Sequence, residues 1–472
     1  MGRAGIAGAV VAGLLLAGCT GGDADPAAGT GPSVAPSFAP GADGIGDPYF
    51  PTYGNGGYDV SGYDLKLRYA PGSGQLTGTA TITATATQDL SRLNLDLANL
   101  SARRVTVDGQ PARAEAAGNE LVVTPAAGIV NGRPFTVVVD YGGEPIALRN
   151  ETLGVGGWLR TGDGAFALGQ PESASTWFPV NDHPADKATF RLAITVPDGV
   201  EALSNGVPGD RSSDGGWTTW TWTEGAPMAS YLATVVIGQY RVTTSTHAGK
   251  PMVTGIPESL PADGPAARSI ARTGEVADFL ATRFGPYPFE AYGGIVLDDD
   301  RVGYALETQT RPVYGNVFFT GGPNETVIAH ELAHQWFGDS VALERWQDIW
   351  LNEGFATYAE WLWQEHQGRA TPDQIFERYY GRFAWGDQPG NPGAQNLFAG
   401  AVYIRGGMTV HALRKTIGDE AFWSLVRSWT TEHRNGNATT ADFAAAAEKA
   451  SGKDLDAFFQ AWLFGTSKPP HP

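Results

Sequence analysis

Residues 324–338 read Asn-Glu-Thr-Val-Ile-Ala-His-Glu-Leu-Ala-His-Gln-Trp-Phe-Gly, and a second glutamate, Glu353, follows in the run Asn352-Glu353-Gly354-Phe355. Two histidines four residues apart on a helix project from the same face, so His330 and His334 can share one metal ion. Glu331 faces the same cleft without being forced onto the metal, where it can take a proton from a water. Catalytic zinc takes three protein ligands and keeps one position open. Glu353 supplies the third, with 18 residues between it and His334. That is enough chain for one helix to end and a second to return.

Local signals place these residues on helices. Asn324 stands at an N-cap position after Pro323. Residues 325–337 carry Val327, Ile328, Leu332, Trp336 and Phe337 at helical spacing, and Gly338 marks a stop. A second amphipathic run extends from about residue 351 to 366, with Gly368 beyond it. The competing reading is a buried helix whose histidines hydrogen-bond in the core. The downstream Glu353 and the intervening loop argue against it.

Around this centre the chain divides by texture. Its 472 residues are too many for one ordinary core, so more than one domain is expected. A formal charge of −18 argues against a nucleic-acid partner, which needs a basic footprint. Short alternating runs such as Tyr63-Asp64-Leu65-Lys66-Leu67 and Thr79-Ala80-Thr81-Ile82-Thr83 fill residues 58–145. Strand-like runs continue at 189–196, 217–222 and 230–243. Helical periodicity begins at residue 266 and dominates to the end. The expected fold is therefore multidomain α+β, with a twisted β domain over 46–255 and a mainly helical catalytic domain over 256–472.

The N-terminus carries a different message. Arg3 precedes an apolar stretch, 6–16, too short to span a membrane as a mature helix. It ends in Leu16-Ala17-Gly18-Cys19, which resembles the lipobox of bacterial lipoproteins. Residues 1–19 are read as a lipoprotein signal peptide, with a lipid on Cys19 holding the protein to the outer face of the cytoplasmic membrane. An ordinary cleaved signal peptide, and a secreted protein, is the alternative. Residues 20–45, rich in Gly, Ala, Pro, Asp and Ser, read as a flexible tether. Cys19 is the single cysteine, so the chain has no partner for an internal disulfide.

These motifs resemble the M1 zinc metallopeptidases, the gluzincin aminopeptidases that include aminopeptidase N. Besides the His-Glu-Leu-Ala-His run and Asn352-Glu353-Gly354-Phe355, three segments fall in the family's order. Gln170-Pro171-Glu172, with Phe178-Pro179 and Asp182-His183-Pro184, resembles its substrate-binding stretch. Tyr304-Ala305-Leu306-Glu307-Thr308 lies where the family has Gly-x-Met-Glu-Asn. Val402-Tyr403-Ile404-Arg405-Gly406-Gly407 resembles the segment with its catalytic tyrosine. The resemblance covers about residues 48–465. Tyr304, Leu306 and Thr308 depart from the usual Gly, Met and Asn. It implies a thermolysin-like catalytic domain, one zinc per chain on His330, His334 and Glu353, Glu331 as general base, and Tyr403 as an oxyanion donor.

Glu307 and Glu172 are implied as anchors for the substrate's free amine. On residue type alone, Tyr403 reads as a tyrosine on a helix flank, and either glutamate as a surface residue. Asp348 is either a partner for a ligand histidine or a cap for the second helix. The implied activity is the removal of N-terminal residues from peptides, by a monomer. A thermolysin-like endopeptidase would share the zinc core without the amine anchors. A lipid-anchored solute-binding protein would need alternating βαβ units and no metal.

Overall fold

The computed structural model describes residues 37–150 and 153–472. The signal-peptide reading, Cys19 and the tether up to residue 36 lie outside them. Among the described residues before Pro265 the helical elements are two 3₁₀ turns, Ala174–Thr176 and Ser230–Leu232; the rest of the regular structure is strand.

An eight-stranded sheet dominates this first part. In spatial order its strands are Val207–Asp214, Trp217–Ala229, Lys187–Pro197, Tyr58–Ala70, Gln75–Ala86, Pro134–Gly143, Ser101–Val107 and Gln110–Pro111. Only Lys187–Pro197 and Tyr58–Ala70 run parallel; the other neighbours are antiparallel. The period-2 pattern sets which face is covered. Tyr63, Leu65, Leu67 and Tyr69 are buried while Lys66 and Arg68 are exposed. A second, antiparallel sheet joins Ala147–Asn150, Gly154–Arg160, Ala165–Leu168, Val235–Gly238 and Glu201–Ser204. There are no alternating βαβ units among these described residues, so the solute-binding architecture is not this one.

The catalytic part begins earlier than residue 256. Lys250–Pro257 pairs antiparallel with Tyr240–His247 and parallel with Tyr292–Leu297, which continues to Val313–Gly315 and the edge strand Ala305–Leu306. By hydrogen bonding, the change of architecture falls before Tyr240. The texture boundary at 255 cuts through one sheet, because strands 240–257 look like those before them and pair with those after. The helical run at 266–284 is two helices, Pro265–Ile270 and Thr273–Phe284.

At the other end, Ala39–Pro40 already pairs with Leu90–Asp96, so the tether as read, 20–45, overlaps folded chain. Asp47 then bridges the two parts. Its buried carboxylate accepts from Trp346 N–H at 2.9 Å and lies 3.2 Å from His183 Nε2. That contact ties the β domain to the segment leading into Trp350–His366, the helix that carries Glu353. This helix is buried nearly all round, by Trp350, Phe355, Tyr358, Trp361 and Trp363 among others, as befits the centre of a domain.

Candidate active site

His330 and His334 sit on the helix Glu325–Ala333, with ring centroids 4.9 Å apart. Asn324 is its N-cap: the side-chain oxygen accepts from Thr326 N–H at 3.1 Å and Val327 N–H at 3.4 Å. The helix is shorter than the 325–337 expected. It ends at Ala333, and His334 is its C-cap, still in helical conformation. His334 Nδ1 lies 3.0 Å from Phe337 O. A carbonyl can only accept, so Nδ1 carries the proton and Nε2 keeps its lone pair for the cleft. The turn that brings Phe337 O under the ring is what stops the helix, and Gly338 at φ +133° lies just beyond it.

His330 is fixed from both sides by one helix. Its Nδ1 is 2.7 Å from Glu360 Oε1, and its Nε2 is 3.2 Å from Glu353 Oε2. Glu353 and Glu360 are two turns apart on Trp350–His366, which puts them on one face. His334 Nε2 is 3.5 Å from the same Glu353 oxygen. Two imidazole nitrogens and a carboxylate oxygen thus converge, each histidine having its other nitrogen engaged. For ligand bonds of about 2.1 Å, the edges of a tetrahedron are about 3.4 Å. The 3.2 and 3.5 Å separations match that spacing, so the donor set fits zinc. Burial opposes the charge on Glu353, but the two imidazoles hold it down to about 2.

Glu331 faces the same point; it is buried, and its carboxylate clusters with Glu307 and His334 within 4.8 Å. The protein groups alone push it up to about 8. Burial is the largest cause; the histidines pull it down while Glu307 and Glu353 push it up. A zinc ion on the three ligands would pull it back down, toward the range in which a carboxylate takes a proton near neutrality.

Tyr403 stacks beside His330, centroids 6.0 Å apart, on the π-helical turn Ala401–Arg405. Burial, then the carboxylates of Glu353, Glu307 and Glu331, hold its phenol well above the ordinary value, so it remains a donor. Arg405 locks this turn. All five of its N–H groups reach backbone carbonyls, of Trp462, Trp385, Asp387, Ala461 and Gly465, at 2.7–3.0 Å. Gly406 meets Gly354 directly. A Cβ on either would lie 2.9–3.1 Å from the other's backbone, so two glycines let Glu353 and Tyr403 converge.

A cavity of about 430 Å³ opens on this centre, lined by Glu307, Gln170, Tyr304, His330, Glu331, Glu353, Glu360 and Tyr403 among others. Glu307 is buried. Its Oε1 accepts from the Tyr231 hydroxyl at 2.8 Å and from Gln170 Nε2 at 3.3 Å. Burial raises its carboxyl above the ordinary range, while nearby His334 lowers it.

Glu172 is not with it. Its carboxyl meets the Tyr53 hydroxyl and is raised to about 7 by burial and by Asp182, and it does not line the cavity. The residue of that segment that reaches Glu307 is Gln170, two positions earlier. Pro171 lies between them. Asp348 is engaged elsewhere too. Its Oδ1 accepts from Thr440 N–H and Oγ–H, and its Oδ2 from Arg345. The carboxylate against a ligand histidine is Glu360. Its spacing of seven from Glu353 was a readable signal.

Comparison with known proteins agrees with this geometry. The Peptidase M1 N-terminal domain matches residues 60–232, and the Peptidase family M1 domain matches 316–384 and 389–462. Glutamyl aminopeptidase of Sus scrofa is 28% identical over 319 residues, 62% of this chain and 34% of that protein. Aminopeptidase N of Streptomyces lividans is 28% identical over 317 residues, 60% of this chain and 36% of that protein. The chain therefore spans about a third of the length of the curated relatives it matches. A Deinococcus radiodurans M1 zinc metallopeptidase variant, solved with a Tyr-Ser-Ala substrate, is 30% identical with a TM-score of 0.83, covering 91% of this chain and 99% of its own. With both family domains in order and a like-sized solved relative superposing along nearly the whole fold, this chain belongs to peptidase family M1, the zinc metallopeptidases, and its cofactor is a single zinc ion.

Proposed function

We propose that the protein is an aminopeptidase, removing N-terminal residues from peptides. The observation that carries this reading is Glu307: a buried carboxylate in the cavity, clustered with Glu331 and His334, on the segment that begins as the edge strand Ala305–Leu306. An ammonium group there gains a charge-assisted bond at a fixed distance from the reacting centre, so only a chain end binds productively. Zinc, when bound by His330, His334 and Glu353, supplies Lewis acidity toward a carbonyl and a water. Glu331 takes the water's proton and returns it to the leaving amine. Tyr403 donates its phenolic hydrogen as negative charge develops on the carbonyl oxygen. Gln170 orients Glu307 and offers its own amide oxygen to the substrate amine.

A thermolysin-like endopeptidase is the second reading. It is favoured by the neutral Gln170 standing where a second carboxylate was expected. The Glu307→Ala variant separates the two. For an aminopeptidase, kcat/KM on peptides with a free amine falls strongly while the slow cleavage of N-acetylated peptides stays near wild type. An equal effect on both would leave the endopeptidase.

For location, we infer a monomer held outside the cell by a lipid on Cys19. The supporting signal is the Leu16-Ala17-Gly18-Cys19 run; among the described residues no helix is long and apolar enough to cross a membrane. Cys19→Ser should move the protein from the membrane to the soluble fraction with kcat unchanged. Retention in the membrane would refute the lipid.

A further inference from the structure

Several hydrogen bonds cross from the β domain to the short catalytic segment around Glu307, that of Tyr231 among them, and two matter here. One is Gln170 Nε2 to Glu307. The other runs the opposite way: the Tyr304 hydroxyl donates to Val155 O at 2.9 Å. Tyr304 is nearly buried, lines the cavity, and stands three residues before Glu307. Val155 is the second residue of the strand Gly154–Arg160 and is followed by Gly156, whose α-carbon packs on Gly169, next to Gln170. The residue before this strand, Leu153, lines the cavity too. The far end of the strand is held separately, by Arg301 Nη2 donating to Arg160 O at 2.7 Å. The near end pairs in register with Ala147–Asn150, and the Tyr304 bond adds a tie to it from the catalytic side, two residues from Leu153.

The cavity has an apolar side made by Leu153, Tyr304, Ala305, Phe318 and Val327. Its charged lining, apart from His330, is carboxylate: Glu307, Glu331, Glu353 and Glu360. An acidic first residue would meet a lining rich in carboxyl groups there, and an apolar one would meet carbon.

We propose that Tyr304 is a positioning residue for substrate selection: its bond to Val155 holds Leu153 as a wall of the cavity, and that wall limits the size of the apolar first side chain accepted. This rests on the aminopeptidase reading. Tyr304 occupies a place where the resembling family motif has glycine.

The test is kcat and KM of wild type, Tyr304→Phe and Leu153→Ala on free alanyl, leucyl, phenylalanyl, tryptophanyl and glutamyl amides. Phenylalanine keeps the ring and removes only the bond, so zinc content should be unchanged and Tm should fall by no more than about 2 °C. Loss of one hydrogen bond corresponds to a factor of about 5. The tryptophanyl-to-alanyl ratio of kcat/KM should therefore rise about 5-fold in Tyr304→Phe, through KM, and at least as much in Leu153→Ala. The glutamyl amide should be the poorest substrate in wild type. Ratios unchanged in Tyr304→Phe, or a uniform fall of kcat across the panel, would overturn the proposal while the aminopeptidase reading stands. Wild type that cleaves none of the amides would overturn both.

Discussion

At the scale of single residues, what each carboxylate faces decides what it can do. Glu353 faces two imidazoles and stays ionised; Glu331 is held up to about 8 by burial first, with Glu307 and Glu353 adding to it. One is suited to ligation and the other to proton transfer. Glu331→Gln should therefore keep zinc at one per chain and lose about 10²–10⁴-fold in kcat; a rate near wild type would place the base elsewhere. Glu360 is a different case. It touches His330 Nδ1 and its side chain is about a quarter exposed. Glu360→Ala should weaken zinc binding about 10–100-fold in chelator competition and leave the Tm of metal-free protein unchanged. Unchanged zinc affinity would reduce Glu360 to a surface residue.

The sequence told these residues apart unevenly. His330 and His334 were readable as a pair because helical spacing puts them on one face, whereas Glu353 joins them from a second helix, which only its motif suggested. Glu172 was misplaced because two positions around Pro171 decide which side chain enters the cavity, and that is set by the chain's path rather than by residue type.

At the scale of elements, the site depends on how closely two helices approach. Trp350–His366 and the helix Gly406–Ile417 touch through Gly354 and Gly406, immediately beside Glu353 and Arg405. A methyl group at Gly354 must push the Gly406 backbone away. Gly354→Ala should cost about 1–3 kcal/mol in denaturant unfolding and lower zinc affinity, since it moves Glu353. Gly400→Ala is the control: its backbone is helical at φ −54° and nothing lies within 4 Å of the added carbon. Equal stability of the two variants would mean that the helices can separate freely.

Helix starts were legible at this scale, Asn324 above all, because a cap is a local contact. The stop at Ala333 was not, since the apolar spacing continues through Trp336 and Phe337 while the chain has already turned to set Phe337 O against His334. Nor was the boundary near Tyr240: parallel pairing of Lys250–Pro257 with Tyr292–Leu297 joins residues about forty apart, and nothing local to either strand records it.

At the scale of the whole molecule, the fold encloses many acids. Burial holds Asp186 and Glu224 up to about 8, and Glu120 and Glu172 up to about 7. Each binds its proton more tightly folded than unfolded. The stability it contributes is complete below the ordinary carboxylate pKa and is lost as pH rises through 7 to 8. Lys187, lowered to about 7 by burial, and His411, lowered to about 4 by burial, work the other way, as does Lys250, but the buried acids outnumber them. His330 and His334, both raised after burial is offset by Glu353, add to the loss on rising pH. The Tm of metal-free protein should therefore be lower at pH 8.5 than at pH 5.5, by about 3 °C or more. A Tm that climbs over this range would contradict the burial of these acids.

The central claim is that one end of the cavity accepts a free amine and the other presents the scissile bond to zinc. Mass spectrometry of the products from one peptide, offered with a free and with an acetylated N-terminus, reads this directly. The predicted result is stepwise loss of single N-terminal residues from the free peptide, with the acetylated twin left intact over the same period. Internal fragments from both peptides at comparable rates would contradict it.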